Sequence, residues 1–394
     1  MERSAKETWL FGLTLASAAC TLISIAASEI LGAAACLLWI ALRPGRPRVP
    51  RYVIPLVLFM LATIASLAMS PDPSRGGAQI NKFVLFPMGL LAANFVSTAA
   101  RAKWTYRALM LAAAASSIVA IVQFVLGYLH FKQTGDYADN PVILARATGF
   151  MGHWMTFSVG EMLVWLGALP AVATLGWRWG APVTVIGAGI VLSFTRGVWI
   201  GSMAGFLAVV SALPRKLLVA LMVPVALVAL IAAKPIYQRV SMSFGADFAP
   251  DAGRMALLKA GALMVRDHPL FGVGPDRIHD EFPGYYTGHI DLQNFFYGHM
   301  ENNFMQIAAE RGLVALAAFV WFMAEIFLGL WKLRRSADDL VRMAALSGLA
   351  ALTGFLVAGL FSYDFGDSES LLLFLFVVSI PFGLASREES RSII

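Results

Sequence analysis

Four polar side chains lead into one of the most apolar stretches of the chain, residues 304–331. They are His299, Asn303, Gln306 and Glu310, at intervals of four, three and four residues. This spacing would place them on one face of a helix. Ionisable groups that enter a membrane helix are costly unless they face a wet cavity or a partner. The pattern therefore predicts a reactive or binding site where a membrane helix meets water.

Membrane helices are the elements that must position this site. Of the 394 residues, 59% are hydrophobic and only 14% are charged, a balance that excludes a soluble protein of this length. A membrane-spanning helix needs roughly 20 apolar residues. Stretches of about that length occur at 9–25, 27–42, 53–70, 83–99, 106–129, 155–175, 181–195, 197–213, 216–233, 304–331, 341–362 and 368–386. We therefore expect an all-α polytopic membrane protein with about twelve transmembrane helices.

The basic residues predict the orientation of these helices. With the N-terminus in the cytoplasm, the cytoplasmic stretches carry 18 Lys and Arg residues and the short outer loops carry five. Both termini are then cytoplasmic, and all six histidines lie on the outer face. The net charge of +6 is mostly this orientation signal and requires no nucleic-acid partner.

The predicted spans divide the chain into three parts. Residues 1–234 hold nine helices, residues 235–303 form one long polar loop on the outer side, and residues 304–394 hold the last three helices. The two cysteines, Cys20 and Cys36, fall inside predicted helices, which is typical of packing residues and not of a disulfide or metal pair.

Four motifs follow one another through the middle of the chain. They are RATGFMGH at 146–153, SFTRGVWIG at 193–201, HPLFGVGP at 268–275 and HMENNFMQIAAERGLVAL at 299–316. In this order and with this topology they resemble the signatures of the O-antigen ligases and Wzy-type polymerases, R-x-x-G-x-F, S-x-S-R-G-x-W-x-G, P-L-F-G-x-G-P and H-x-x-N-x-x-L-x-x-x-x-E-x-G. The resemblance covers residues 146–316.

The resemblance implies a GT-C-like glycosyltransferase whose donor is a glycan on undecaprenyl diphosphate. Arg146, Arg196 and Arg254 are the expected diphosphate-binding residues, because a guanidinium group matches phosphate oxygens bidentately. Lys82 is expected to add a point charge. His299 is the expected general base, since an ordinary histidine is largely neutral near pH 7 and can accept a proton.

Three further residues are expected to support this chemistry. Glu301 either orients His299 or acts in its place, and the two readings stay open from sequence. Asn303 and Gln306 continue the polar stripe into the helix and are expected to support the base.

No metal or other cofactor is expected. His279, His289 and His299 recur at intervals of ten, whereas zinc sites on helices pair histidines at i and i+4. The resemblance also implies a metal-independent transfer, which as a single displacement inverts the anomeric carbon.

The function expected first is ligation of O-antigen from undecaprenyl diphosphate to lipid A-core, on the periplasmic side of the bacterial inner membrane. A Wzy-type polymerase is the alternative, although its second long outer loop would have to be the stretch 130–154. A protein O-oligosaccharyltransferase commonly carries a longer soluble C-terminal part. A transporter of lipid-linked glycans would place charged or broken segments at mid-membrane in two related halves. Here the polar residues collect at one face, which favours surface chemistry.

Overall fold

The computed structural model describes residues 2–241, 249–288, 292 and 295–391, which form helices and turns with no strand among them. The helices are α1 (Glu2–Cys20), α2 (Ile25–Leu42), α3 (Val53–Met69), α4 (Gly77–Asn81), α5 (Pro87–Phe95), α6 (Ala99–Thr134), α7 (Trp154–Leu175), α8 (Gly180–Leu192), α9 (Arg196–Val209), α10 (Arg215–Ile231), α11 (Ala233–Ser241), α12 (Ala249–Asp267), α13 (Ile278–Tyr285), α14 (Asn303–Leu333), α15 (Asp339–Ala358) and α16 (Ser368–Arg391). The all-α class is confirmed for this part of the chain.

Six of these helices are long and apolar enough to cross a membrane, so the chain is a multi-pass membrane protein. They are α2, α6, α7, α14, α15 and the first part of α16. The bent pair α10 and α11, at 72° to each other, would make a seventh, and α3, α8 and α9 belong to three shorter apolar segments. A helix lies in each of the twelve predicted stretches. The count of twelve spans stays a prediction, as do the GT-C-like class and the division of the chain at residues 234 and 303.

Helix α5 shows why the count is lower. A 3₁₀ turn at Lys82–Leu85 precedes it and Pro87 stands at its first position, so only nine residues are α-helical. Proline suits the first turn of a helix but cannot extend one that has already begun. The predicted span 83–99 is therefore divided between a turn and a short helix.

Helix α9 packs closely on α15 through glycines spaced four residues apart. A Cβ atom at Gly201 would lie 2.7 Å from the carbonyl oxygen of Gly354, and one at Gly205 would lie 2.5 Å from that of Ala350. Lipid provides no hydrophobic force between helices, so small residues that let backbones approach stabilise such contacts. This contact fixes the axis of α9 and with it the position of its first residue, Arg196.

Helix α14 is interrupted at Gly312, whose backbone is left-handed with φ 81° and ψ 173°. The loop 268–275 lies against the interruption. The N–H of Leu313 donates to the carbonyl of Pro269 at 2.8 Å, and a Cβ atom on Gly312 would come within 2.1 Å of the Leu270 carbonyl oxygen. The carbonyl of Pro269 therefore replaces the helical carbonyl that would accept from Leu313 in a continuous helix.

The same loop also satisfies carbonyls on the other side of the interruption. The N–H groups of Val273 and Gly274 donate to the carbonyls of Ala309 and Glu310, each at 2.9 Å. Broken backbone is tolerated at membrane depth only where protein or water replaces the lost hydrogen bonds. Part of the long loop is thus built into a membrane helix.

The start of α14 corrects the predicted helical stripe. Asn302 is the N-cap, with its side chain accepting from the N–H of Met305, and the helix begins at Asn303. His299 therefore lies in the turn before the helix and not on its face. Asn303, Gln306 and Glu310 do lie within α14, where all three are buried.

Candidate active site

The outer junctions predicted from sequence meet at one end of the helix bundle. Lys82 Nζ donates to the carbonyl of Gly366, and Thr156 Oγ1 donates to a carboxylate oxygen of Asp367. Helices that are far apart in the chain are thereby joined around the turn between α15 and α16. This end of the bundle contains every candidate residue, and its assignment to the periplasm stays a prediction.

His299 lies in a mostly enclosed position at this end, with 32% of its side chain exposed. The Phe296 ring meets it edge-on at a centroid distance of 4.8 Å, and the Tyr363 ring lies at 6.1 Å. Burial lowers the pKa of His299 to about 4, and the charge of His153 adds to this effect. The imidazole is therefore neutral at pH 7, and Nδ1 has no hydrogen-bond partner within the described residues.

Glu301 lies between His299 and an arginine. One carboxylate oxygen is 3.5 Å from His299 Nδ1, and the other is 3.9 Å from Arg254 Nη2. The backbone of Glu301 is left-handed at φ 49°, an uncommon conformation for a residue with a side chain. Burial raises the pKa of Glu301, and Arg254 and then Arg146 oppose that rise. The carboxylate thus couples the histidine to the basic residues.

Four arginines converge beside Glu301. The guanidinium of Arg146 lies over the Trp154 ring at 4.3 Å from its centroid. Burial is the largest cause of the lowered pKa of Arg146, and the charges of Arg239, Arg196 and Arg254 lower it further. Three of the four are the predicted arginines, which the sequence placed on three separate segments. Such a concentration of like charge is typical of a site for an anion of more than one negative charge.

The N-terminus of α9 adds to this positive field. Arg196 is its first residue, and Thr195 directs its hydroxyl to the carbonyl of Ser193 instead of capping the helix. The N–H groups of a helix's first turn carry partial positive charge and bind anions such as phosphate. The side chain of Arg196 and the backbone N–H groups in the first turn of α9 are therefore both suited to bind an anion.

Lys82 belongs to a second, adjoining cluster. Arg311 Nη2 donates to the hydroxyl of Tyr363 at 3.0 Å, and the same tyrosine ring faces His299. The charges that act on Lys82 are those of Arg311, Asp367, Glu310 and Asp276. Lys82 therefore stands among mixed charges on the Arg311 side of Tyr363, whereas the arginine cluster adjoins Glu301.

Asn303 and Gln306 support the site through the backbone. Asn303 Oδ1 accepts from the N–H of Phe365 at 2.9 Å, and Gln306 Oε1 accepts from the N–H of Met300 at 2.7 Å. Met300 follows His299 directly. The two amides thus hold the turns that carry the histidine and Tyr363, and both are too deeply buried to meet a ligand.

Arg239 and Asp364 also lie at this end of the bundle, although neither was predicted as a site residue from sequence. Asp364 is buried, accepts from the Ser362 hydroxyl at 2.7 Å, and has its pKa raised to about 7 by burial, with Asp367 and Glu301 adding to the rise. The signal for Asp364 is the polar run 362–370 between two apolar stretches. Arg239 is the single arginine of α11, and its sequence neighbours carry no motif that would single it out.

No three His, Cys, Asp or Glu side chains are grouped as metal ligands in the described ranges. His279 stacks on Tyr297 at 4.7 Å, while His289 lies outside the described residues. Within the described residues, His279 and His299 therefore share no metal site.

Residues 181–320 match the family model described as O-antigen ligase. Over this segment, about a third of its length, the chain is similar to the O-antigen ligase family. The family segment includes Arg196, Arg239, Arg254, His299 and the interruption of α14 at Gly312. Lys82 and Arg146 lie outside it and reach the site only through the packing of the helices. No curated protein matches the chain.

The candidate site can carry out two chemical tasks. Fixed guanidinium groups can stabilise negative charge on a phosphate leaving group, because their planar forks match its oxygens. A neutral imidazole keeps one unprotonated ring nitrogen, which can accept a proton. Both groups lie at one end of a bundle of membrane helices, within reach of a lipid-borne substrate.

Proposed function

We propose that the protein transfers O-antigen polysaccharide from undecaprenyl diphosphate to lipid A-core, on the periplasmic side of the bacterial inner membrane. The observation that carries this proposal is the convergence of Arg146, Arg196 and Arg254 beside Glu301 and His299. A polysaccharide on a prenyl diphosphate supplies both an anion for the arginines and an anomeric carbon for attack. The membrane helices allow the lipid part to stay in the bilayer.

The reaction follows from these positions. His299 removes the proton from the acceptor hydroxyl as its oxygen attacks the anomeric carbon. The bond from that carbon to the diphosphate oxygen breaks, and the diphosphate leaves with the electron pair. The arginines stabilise the charge that develops there, and one such donor contributes about 3 kcal/mol in comparable sites. A single displacement of this kind inverts the anomeric configuration and needs no metal ion.

A cavity lined in part by residues that follow Lys82 in the chain offers space for a short part of the prenyl chain. It has a volume of about 350 Å³, and it lies between α2 and the start of α5. Val84 and Leu85, which line it, follow Lys82 closely in the chain, and the acidic side chain in the lining is Glu29. A larger cavity of about 850 Å³ has Arg178 and Lys216 in its lining and shares no residue with the candidate site. The lining of the smaller cavity contains no candidate-site residue either, and the smaller cavity is chosen because part of its wall continues from Lys82 along the chain.

The deciding experiment supplies purified protein with undecaprenyl-diphosphate-linked O-antigen and lipid A-core in the presence of EDTA. We expect glycan to appear on the lipid A-core with wild-type protein and to fall by about a hundredfold or more in His299→Ala. Lengthening of the glycan on its own carrier would instead establish the polymerase alternative. Transfer that occurs only without EDTA would refute the metal-independent reaction.

Two arginines of α12 provide a matched pair for the donor site. Arg254 adjoins Glu301, whereas Arg266 is exposed and pairs with the neighbouring Asp267. Arg254→Gln should raise the KM for the donor about tenfold, since one charged hydrogen bond is lost, and Arg266→Gln should leave it unchanged. Equal KM values for the two variants would remove Arg254 from the donor site.

A further inference from the structure

Arg239 lies on α11, where the long polar segment begins, and only 8% of it is exposed. Its Nε donates to the backbone carbonyl of Phe194 at 3.2 Å. An arginine this deeply buried is costly to keep charged, so its position requires a physical reason. The bond to Phe194 ties the start of the long segment to the turn between α8 and α9.

That turn places Arg196. Phe194 is buried and left-handed at φ 51°, and its ring packs on Phe124 and Trp199 at centroid distances of 5.3 and 6.0 Å. Two residues later Arg196 opens α9. Because Arg239 bonds to the carbonyl of Phe194, its guanidinium is held close to the backbone that leads into Arg196.

The charge of Arg239 is directed at the same region as the other arginines. Burial is the largest cause of the lowered pKa of Arg146. Three arginines lower that pKa further, and Arg239 has the largest effect among them. Four guanidinium groups from α9, α11, α12 and the segment before α7 thus share one region, with the carboxylate of Glu301 among them. A cluster of this kind is stabilised when an anion binds and destabilised by self-repulsion when none does.

We propose that Arg239 binds the donor diphosphate as a fourth guanidinium, an inference that rests on the proposed function. Each non-bridging oxygen of a diphosphate can accept more than one hydrogen bond, so a fourth guanidinium can add to the three predicted ones. A fourth fork held by a backbone bond is pre-organised, so little of its conformational freedom is lost on binding. Arg239 thereby couples donor binding to the position of the long segment.

The test measures the Kd of undecaprenyl diphosphate for the full-length protein in detergent. Arg239→Gln removes the charge but keeps an amide that can donate to the Phe194 carbonyl, whereas Arg239→Lys keeps the charge. We expect the glutamine variant to bind about tenfold more weakly or worse, and Arg266→Gln to bind as wild type does. The lysine variant, which keeps the charge but not the planar guanidinium, should bind more tightly than the glutamine variant and more weakly than wild type.

The thermal unfolding of each variant without ligand separates binding from folding. If the glutamine variant folds and binds as tightly as wild type, the inference is overturned while the proposed function stands. If the lysine variant binds no more tightly than the glutamine variant, the charge of Arg239 does not contribute to binding, which also overturns it. If the glutamine variant does not fold, Arg239→Met, another neutral side chain of similar length, replaces it in the same comparison. Failure of wild type itself to bind would remove the proposed function and this inference together.

Discussion

His299 differs from an exposed histidine in its surroundings. The rings of Phe296 and Tyr363 shield part of it from water, and an uncharged imidazole is the form that such a position favours. Glu301 stands 3.5 Å from Nδ1, which suits a carboxylate that orients the ring and stabilises it once it has taken a proton. Of the two roles open from sequence, this geometry favours the orienting one.

The lowered pKa of His299 predicts that transfer activity declines only at unusually low pH. Protonation abolishes the base, and the pKa is displaced from 6.5 to about 4, so the neutral form persists as the pH falls below 6.5. We expect kcat/KM for the donor to stay level through pH 6 and to decline only as the pH approaches 4. The measurement is the pH profile of transfer by wild-type protein, with folding checked at each pH.

An ordinary imidazole would give a different profile. A decline of kcat/KM centred near pH 6.5 would contradict the buried, uncharged histidine. The profile of kcat should decline at higher pH than that of kcat/KM, because the bound diphosphate anion favours the protonated ring.

At the scale of elements, the interruption of α14 and the loop 268–275 form one unit. Gly272 lies so close to the helix that a Cβ atom would be 2.4 Å from the carbonyl carbon of Glu310. Ser66 of α3 donates to the carbonyl of Phe271 at 2.6 Å, which holds the loop from the other side. The residues of α14 nearest the site are therefore positioned by the long segment and not by helix geometry alone.

Gly312→Ala tests this unit. The added methyl group meets the Leu270 carbonyl, and φ 81° is unfavourable for alanine, so we expect a loss of about 2 kcal/mol or more in the free energy of unfolding. Gly284→Ala is the control, because a Cβ atom there meets nothing within 4 Å. Thermal unfolding in detergent measures both variants, and equal melting temperatures would disprove the close packing.

Glu161 joins three helices in the apolar interior. It is fully buried on α7, and one carboxyl oxygen accepts from the Ser117 hydroxyl of α6 at 3.0 Å. Gly189 of α8 approaches the same hydroxyl so closely that a Cβ atom would lie 2.4 Å from it. The carboxyl group therefore has a structural explanation within the bundle.

Glu161→Gln should consequently keep both stability and transfer activity, because the amide has the same shape and can still accept the hydrogen bond. Glu161→Ala should lower the free energy of unfolding by about 1–3 kcal/mol, since a buried hydroxyl loses its partner. The transport alternative makes the opposite prediction, namely that removing the charge in Glu161→Gln abolishes function. Glycan transfer and thermal unfolding of the two variants distinguish these outcomes.

At the scale of the whole molecule, segments predicted to lie on one side of the membrane meet at one end of the bundle. Lys82, Thr156, Asn303 and the turn at 364–367 are joined by hydrogen bonds there. The charge distribution in the sequence and the packing of the helices are thus consistent with a single outer face. The active site is expected at that face.

Cysteine labelling tests this orientation. In a background with Cys20→Ala and Cys36→Ala, Ala138→Cys places a thiol in the outer loop 130–154 and Ala337→Cys places one between α14 and α15, both at exposed positions. A membrane-impermeant maleimide added to cells with a permeabilised outer membrane should label the first and not the second. The reverse pattern would invert the topology and move the site to the cytoplasm.

The sequence by itself determined the class of protein and predicted most residues of the candidate site. Apolar length specifies membrane helices whatever their packing, because each must satisfy its own backbone in lipid. Arg196, Arg254 and His299 could be singled out because each stands where polar residues are otherwise rare or within a motif. The family segment 181–320 supports the same part of the chain.

Only the tertiary structure decided which of these residues meet. Regular spacing places residues on one face only within a helix. Helix α14 begins at Asn303, after its N-cap Asn302, so His299 lies outside it. Arg239 joins the arginines through a hydrogen bond across 45 residues, and Lys82 is held by the distant Gly366. Such contacts depend on how helices pack, as where α9 meets α15 through glycine, and local sequence does not encode that packing.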